Sequence, residues 1–245
     1  MEWTDDAIVL ASRRHGETSA ILEVLTRAHG RHLGLVYGGV SRKQRPVLQR
    51  GNTLRVRWRA RLSEHLGEFS TELARARAAE MLDSREALAG LNAFAEVARA
   101  VLPERELHES VFEVAEILLD AIAASDFAHW GPLYVRWEAG LLEVLGFGLD
   151  LSRCAATGSL DDLLYVSPKS GRAVSGAAGA PYRERLFVLP PFLLGSQNAS
   201  PSPAEILAGL ALTGHFLQER VLHPHNRQMP LARARLGELA DRESA

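Results

Sequence analysis

The segment from Gly38 to Leu62, "GGVSRKQRPVLQRGNTLRVRWRARL", contains eight basic side chains and no acidic one. Seven of the eight are arginines, and a guanidinium group binds phosphate through two parallel hydrogen bonds and stacks on nucleobases. The chemistry that this composition suits is the non-covalent binding of a polyanion. The segment therefore predicts a nucleic-acid contact surface, and the alternative is a charged strand that only prevents aggregation between sheet edges.

Within this segment, "LRVRWRARL" alternates apolar and basic residues, which is typical of a strand with one buried and one exposed face. The apolar positions from Leu54 to Leu62 should face a core, so we expect Trp58 to pack inside rather than stack on bases. Tyr37 and Phe69 remain open on this point. The loop before the strand should add a flexible basic rim. The candidate phosphate-binding residues are Arg42, Lys43, Arg45 and Arg50 in the loop and Arg55, Arg57 and Arg59 in the strand, with Arg31 and Arg61 in reserve.

The elements that must position these side chains are short strands. Between Ala7 and Glu72, five β-like segments alternate with turn-prone sequences, which predicts a small barrel within residues 1–76. The segments are "AIVLASRR", "SAILEVLT", "RHLGLVYGG", "NTLRVRWRARL" and "HLGEFSTEL".

The remainder of the chain has a helical pattern. Three segments with apolar residues three and four apart predict a central helical domain over residues 77–147, with Pro103 and Gly131–Pro132 as breaks. Residues 148–245 form a C-terminal region with little periodicity until a helix at 204–222. Its start is indicated by Ser202 as the N-cap and Pro203 as the first helical residue. The predicted fold class is α+β, with an N-terminal β-barrel and a mainly helical body.

Charge and composition limit the classes of protein to consider. The 245 residues are 47% hydrophobic and 24% charged, which is ordinary for a globular chain. The net charge is −2, yet residues 1–62 hold 12 Lys and Arg against 5 Asp and Glu, so we expect two surfaces of opposite sign. An acidic N-terminus, the lack of a long apolar segment and a single cysteine, Cys154, favour a cytoplasmic protein that does not contact the membrane.

The sequence does not indicate an enzyme. "GLVYGG" lacks the residues of a phosphate-binding loop, and "SPKS" lacks the S-x-x-K spacing. The adjacent pairs Asp5–Asp6 and Asp161–Asp162 should face opposite ways on a strand or lie in solvent in a loop. Because no carboxylate cluster is predicted near the basic segment, a metal-dependent nuclease is not favoured. We expect a non-catalytic protein without a cofactor.

Several phrases together resemble the bacterial RecO recombination mediators, and the similarity extends over nearly the whole chain. They are "RRHGETSAILEVLT", "HGRHLGLVYGGVSR", "VLQRGNTLRVRW", "EHLGEFSTE", "LALTGHFLQERV" and "MPLARARL". The resemblance implies an N-terminal OB-fold, a central helical bundle and a C-terminal region. It also implies a protein that binds single- and double-stranded DNA, anneals complementary strands and binds the single-stranded-DNA-binding protein. Together with RecR, such a protein helps to load RecA, and it would be associated with the nucleoid.

The resemblance raises the question of zinc, because some family members carry two Cys-x-x-Cys pairs near residue 154. Here the matching sequences are "CAAT" and "SGAA", so Thr157, Ser175 and Ala178 stand where the other three cysteines would be. A structural zinc site needs four ligands of the Cys or His type. We therefore predict a degenerate zinc-finger-like subdomain without a metal.

A second surface is suggested for a protein partner. The tail of the single-stranded-DNA-binding protein is acidic and ends in hydrophobic residues, so it needs apolar walls beside an arginine. The candidate residues are Leu133, Arg136, Trp137 and Leu141. The alternative is a core-facing stripe with Arg136 at its edge. A broader alternative function is a non-catalytic interaction hub whose acidic helical half is the working surface.

Overall fold

The computed structural model describes residues 1–195 and 201–243 and divides into two compact units, which meet in sequence between Ala124 and Ser125. In the described residues, no helix combines the length and the apolar character needed to cross a bilayer.

The first unit begins with five strands that close into a barrel. Around the barrel they follow the order β1-β2-β3-β5-β4, with β4 pairing back onto β1 and β3 pairing in parallel with β5. This arrangement confirms the predicted α+β class and the five-stranded OB-fold barrel. The strands are β1 (Glu2–His15), β2 (Ser19–Thr26), β3 (Gly30–Val36), β4 (Thr53–Arg59) and β5 (Glu68–Arg75).

Strand β1 begins at Glu2, well before the start at Ala7 that the pattern indicated. Two adjacent aspartates are unfavourable in a strand, which is why the sequence pattern missed this part. Asp5 nevertheless points inward, where its carboxylate accepts a hydrogen bond from the backbone N–H of Ala28 at 2.8 Å and lies 2.9 Å from Nδ1 of His29. These bonds offset the cost of burying the charge of Asp5. Because successive side chains of a strand face opposite ways, Asp6 faces outward.

Alternate residues of β4 fill the barrel core, as the pattern predicted. Trp58 is 2% exposed, and its indole N–H donates to the carbonyl of Leu66 at 3.0 Å. Phe69 is also buried, which answers the question left open for it. Leu62 is exposed because β4 ends at Arg59. The core residues are Ala7, Val9, Ala20, Leu22, Val24, Val36, Leu48, Leu54, Val56, Trp58 and Phe69.

The segment between β3 and β4, residues 38–51, is called the cap segment here. It forms consecutive turns, with the N–H of Arg45 bonded to the carbonyl of Ser41 at 3.0 Å and that of Leu48 to Gln44 at 3.1 Å. Leu48 belongs to the barrel core, and the side chain of Asn52 donates to two carbonyls of the segment. The segment is therefore a packed cap, unlike the flexible rim expected from its sequence.

Three helices complete the first unit: α1 (Arg77–Glu80), α2 (Arg85–Val101) and α3 (Glu109–Ala124). The hydroxyl of Ser84 accepts a hydrogen bond from the N–H of Ala87 and so caps α2. Ion pairs fix α3 to the turn after β2, since Arg27 binds Glu113 at 3.1 Å and Glu116 at 3.0 Å.

The second unit contains α4 (Phe127–Val144), α5 (Gly176–Gly179), α6 (Pro203–Phe216) and α7 (Leu231–Glu243). The predicted break at Gly131–Pro132 is wrong, because both residues lie inside α4. Gly131 lets Ile206 of α6 pack closely, since an added Cβ would lie 3.1 Å from that side chain. The predicted start of α6 is confirmed: Ser202 and Glu205 form a capping box, with Pro203 at the first turn.

A small three-stranded sheet, in the order β7-β6-β8, lies in the region of weak periodicity. Its strands are β6 (Leu163–Val166), β7 (Ala173–Ser175) and β8 (Phe187–Val188). The three-domain division at residues 76 and 147 stays a prediction.

Candidate nucleic-acid interface

The arginines of β4 stand on the outer face of the barrel, as their alternation predicted. Arg55, Arg57 and Arg59 are all exposed, whereas Arg61 lies beyond the end of the strand. Antiparallel pairing with β1 places Asp6 opposite Arg55 and Glu2 opposite Arg59.

Acidic side chains on the neighbouring strands neutralise much of this row. Asp6 binds Arg55 at 2.8 Å, and Glu2 binds Arg57 at 2.5 Å. The hydrogen bond from Arg57 lowers the pKa of Glu2, and the hydrogen bond to Asp6 raises the pKa of Arg55. On the other side, β5 places Glu72 opposite Arg55 and Glu68 opposite Arg59. An acid-free segment thus does not form an acid-free surface, because its strand partners carry the acids.

Two other candidates are used inside the first unit. Arg31 is only 15% exposed at its side chain, and it binds Glu23 at 2.6 Å and the carbonyl of Leu102 at 2.8 Å. Arg50 reaches α2, where it binds Glu96 at 2.5 Å. Both guanidinium groups therefore hold the barrel against α2, and contact of either with DNA stays a prediction.

The cap segment presents basic groups that remain available. Arg42, Lys43 and Arg45 are exposed, and none of them forms an ion pair with another residue of the described chain. Arg14, near the end of β1, was not among the candidates, although "RRHGETS" marked the adjacent turn. Its guanidinium donates to the carbonyls of Gly16 and Glu17, at 3.0 and 3.1 Å. We call Arg14, Arg42, Lys43 and Arg45 the barrel-end surface.

A cleft of about 620 Å³, called the basic cleft, opens at this surface between β1, β2 and the cap segment. Arg14, Arg45 and Arg50 line it, and no acidic residue in the described part of the chain does. The structure thus brings together two of the predicted phosphate-binding residues and one that sequence reasoning missed.

Tyr37, the other aromatic residue left open, is 65% exposed just before the cap segment. Its hydroxyl donates to the carboxylate of Glu68 at 3.2 Å, and this hydrogen bond raises the pKa of Tyr37. A ring fixed at its polar end and exposed on its faces is able to stack on a nucleobase.

In the second unit, Arg136 lines a cavity of about 690 Å³. Its Nε and Nη2 atoms both donate to the carbonyl of Phe192, at 3.1 and 2.8 Å. Trp137 and Leu141 are 2% and 1% exposed, so they belong to the core instead of the cavity wall, and Leu133 does not line it either. The apolar wall comes from Leu149, Leu151, Phe192 and Leu193.

The position of Cys154 tests the zinc question. Its sulfur accepts a hydrogen bond from the N–H of Ser175 at 3.2 Å, and hydrogen bonds from Ser175 and Thr157 lower the pKa of the thiol to about 6. Three of the four positions, Cys154, Thr157 and Ser175, are therefore in contact, but Thr157 and Ser175 offer only hydroxyl groups. In the described part of the chain, no group of three His, Cys, Asp or Glu residues is arranged to hold a metal. These residues do not fit a structural zinc ion.

Comparison with known proteins gives one consistent result. The family described as "Recombination protein O N terminal" matches residues 1–77, and "Recombination protein O C terminal" matches residues 82–229. DNA repair protein RecO of Rhodospirillum centenum is 52% identical over 237 residues, which cover 96% of this chain and 93% of that protein. DNA repair protein RecO of Cereibacter sphaeroides is 53% identical over 244 residues, covering 99% and 100%. The protein of that name from a Caulobacter species is 50% identical over 242 residues, covering 97% and 98%.

Proposed function

The chain belongs to the RecO family of DNA repair proteins, and from this premise we propose that it is a non-catalytic mediator that binds DNA and anneals complementary strands. It binds both single- and double-stranded DNA in the cytoplasm, at the nucleoid. With RecR and the single-stranded-DNA-binding protein, it assists the loading of RecA during recombinational repair.

The observation that carries the DNA-binding proposal is the barrel-end surface, where four basic side chains have no acidic partner side chain among the described residues. Two DNA strands repel each other through their phosphates, so annealing requires that both backbones be neutralised at once. Fixed cationic side chains do this by releasing the counterions that each backbone has condensed. The protein forms and breaks no covalent bond in this process.

We assign the main phosphate contacts to Arg42, Lys43 and Arg45. The predicted contacts of Arg55, Arg57 and Arg59 contribute less, because Asp6 and Glu2 already occupy two of these arginines. A phosphate that approaches β4 must compete with these carboxylates, whereas a phosphate at the cap segment replaces only water. Arg61 lies in the exposed turn after β4 and remains an additional contact.

The test compares two variants that each lose three positive charges. One is Arg42→Gln/Lys43→Gln/Arg45→Gln, and its matched control is Arg55→Gln/Arg57→Gln/Arg59→Gln. Binding and annealing of oligonucleotides are measured across a salt series, after circular dichroism has shown that both variants are folded. Each lost contact with single-stranded DNA should reduce the slope of log K against log salt by about 0.7, so the first variant should flatten it by about 2.

The β4 variant should keep most of the wild-type slope and most of the annealing rate. If it loses binding and the cap variant does not, DNA lies on β4 and our assignment is wrong. If the wild-type protein binds no DNA, the mediator proposal itself fails.

For the single-stranded-DNA-binding protein, we propose the cavity at Arg136. A free carboxylate is the natural partner of a guanidinium, and the apolar wall suits a hydrophobic tail end. Arg136→Glu should weaken binding of the isolated tail peptide about tenfold or more, since it replaces an attraction by a repulsion. Arg183→Glu, at an exposed position of the same unit, is the matched control. Equal affinity of both variants would place the tail elsewhere.

A further inference from the structure

The hairpin formed by β1 and β2 extends beyond the closed part of the barrel. Strand β1 pairs with β4 over residues 2–8, whereas it pairs with β2 as far as His15. Over residues 11–15, no strand of the described chain pairs with β1 on the side away from β2. These five residues therefore form a free sheet edge, which we call the β1 edge.

The register of the hairpin shows which backbone groups of the β1 edge point away from β2. Val9 directs both of its backbone groups away, since its N–H donates to Asn52 at 2.9 Å and its carbonyl accepts from Gly51 at 2.8 Å. Residues of an antiparallel pair alternate in this respect, and one extra residue, at the bulge after Val9, shifts the alternation by one position. Ser12 and Arg14 are the next residues whose N–H and C=O point outward. Among the described residues, no backbone hydrogen bond outside the hairpin reaches them.

The β1 edge is exposed and positively charged. Residues 12–15 are all exposed, and neither Arg13 nor Arg14 forms an ion pair with another described residue. Their side chains lie on opposite faces of the strand, because successive residues alternate. Arg45 faces the edge across the basic cleft, which Arg14 also lines. The acidic residue nearest in sequence is Glu17, in the turn of the hairpin. A chain that lies along the edge is thus flanked by basic side chains on both of its faces.

The backbone of the edge limits the class of molecule that it binds. It offers N–H donors and C=O acceptors in alternation, and an extended peptide backbone satisfies both kinds of group. The phosphodiester backbone of DNA offers acceptors alone, so it would leave the carbonyls of Ser12 and Arg14 unpaired. A second copy of this hairpin would bring arginine against arginine, and like charges on neighbouring strands are unfavourable. Charge complementarity therefore favours an acidic peptide.

We propose that the β1 edge takes an extended, acidic segment of a partner protein as an additional strand of the sheet. The backbone of the segment bonds to Ser12 and Arg14, and its carboxylates contact Arg13 on one face and Arg14 and Arg45 on the other. Backbone pairing supplies affinity, and the charges select the sequence. This inference goes beyond the proposed function, which concerns DNA, and does not depend on it.

The test uses a peptide of about six residues, the usual length of a strand, in which aspartate and valine alternate and both ends are blocked. Its binding to the isotopically labelled, full-length protein is followed by the amide chemical shifts in NMR spectra. The amides of residues 11–15 should shift as the peptide is added. A control peptide has the same sequence with every backbone nitrogen methylated, so that it keeps the charges and loses the donors. Because it cannot donate to the two outward carbonyls, it should bind about tenfold more weakly.

A second control peptide, in which lysine replaces aspartate, should also bind more weakly, because the arginines repel it. On the protein, Ser12→Pro removes one outward N–H and no bond of the hairpin, and proline is tolerated at such an edge position. This variant should bind the aspartate peptide about three- to tenfold more weakly than wild type. Ser12→Ala is the matched control, since it lacks the hydroxyl but keeps the N–H, and its affinity should stay within about twofold. If Ser12→Pro does not fold, the methylated peptide decides, because it leaves the protein unchanged.

Several outcomes would overturn the inference. Equal affinity for the methylated and unmethylated peptides would show that charge alone attracts them, and equal affinity for the lysine peptide would exclude an acidic partner. Absence of binding by the aspartate peptide, or shifts confined to the cap segment, would show that the edge takes no strand. A wild-type dimer in sedimentation equilibrium that Ser12→Pro dissociates would identify a second copy as the occupant. Oligonucleotide binding is measured separately, so each of these results leaves the proposed function untouched, and loss of DNA binding alone would contradict only that function.

Discussion

His32 lies inside the barrel, 4% exposed, with Trp3, Trp58 and Phe69 packed around its ring at centroid distances of 5.1, 4.9 and 6.1 Å. Among the described residues, neither of its ring nitrogens has a hydrogen-bond partner. Burial, assisted by the positive charge of Arg105, lowers the pKa of His32 to about 4. The histidine is therefore kept neutral by its surroundings and acts as a member of the aromatic core.

The lowered pKa of His32 makes the free energy of unfolding depend on pH. An unfolded histidine has a pKa of about 6.5, so between pH 6.5 and about 4 the unfolded chain binds more protons than the folded one. The free energy of unfolding should thus decrease as the pH is lowered through this window, by about 3 kcal/mol in all from this residue. We expect His32→Phe, which has nothing to protonate, to lose that pH dependence.

The measurement is urea unfolding at about pH 7 and pH 5, followed by tryptophan fluorescence, with the two free energies subtracted for each variant. His15→Phe, at an exposed position of β1, is the control and should behave as wild type does. The same pH dependence in His32→Phe and wild type would show that His32 is not the group responsible.

At the scale of elements, a buried ion pair fixes the last helix of the second unit. Arg233 of α7 binds both carboxylate oxygens of Glu138 in α4, at 2.5 and 2.8 Å, and Thr213 of α6 donates to the same carboxylate at 2.5 Å. Burial alone would lower the pKa of Arg233, but Glu138 outweighs it and raises the pKa. Three helices therefore meet at one carboxylate.

We expect Arg233→Ala to lower the free energy of unfolding by about 3 to 5 kcal/mol, because it leaves the charge of Glu138 buried and unpaired. The double variant Arg233→Leu/Glu138→Leu removes both charges and should recover much of this loss. Arg235→Ala, at an exposed position of α7, should have a small effect. Urea unfolding measures all three, and an Arg233→Ala variant as stable as Arg235→Ala would contradict the role of the pair.

Four elements show how the sequence pattern was both informative and incomplete. The strands β2 and β4 and the start of α6 follow from local periodicity and capping residues, and all three were predicted. The first part of β1 was missed, although it supplies the acids that pair with β4. Its aspartates oppose strand formation locally, and pairing with β4 together with the bonds of Asp5 to the turn after β2 stabilises the strand.

For the whole molecule, the uneven charge along the chain was expected to produce two surfaces of opposite sign. Much of that charge is instead neutralised by ion pairs within the first unit. Arg27 is bound by Glu113 and Glu116 of α3, and Arg50 by Glu96 of α2. The same pairs use acids that the interaction-hub alternative needs as its working surface. The basic groups left for DNA are accordingly fewer than the sequence suggested.

The sequence by itself determined the barrel, the order of its strands along the chain and the burial of Trp58. These features depend on residues close together in the chain or on residue type alone. The tertiary structure decided which arginines are available, because the partners of Arg55 and Arg57 lie 49 and 55 positions away in sequence. Strand pairing brings Asp6 and Glu2 to them, and a charge is cancelled by whatever carboxylate is nearest in space.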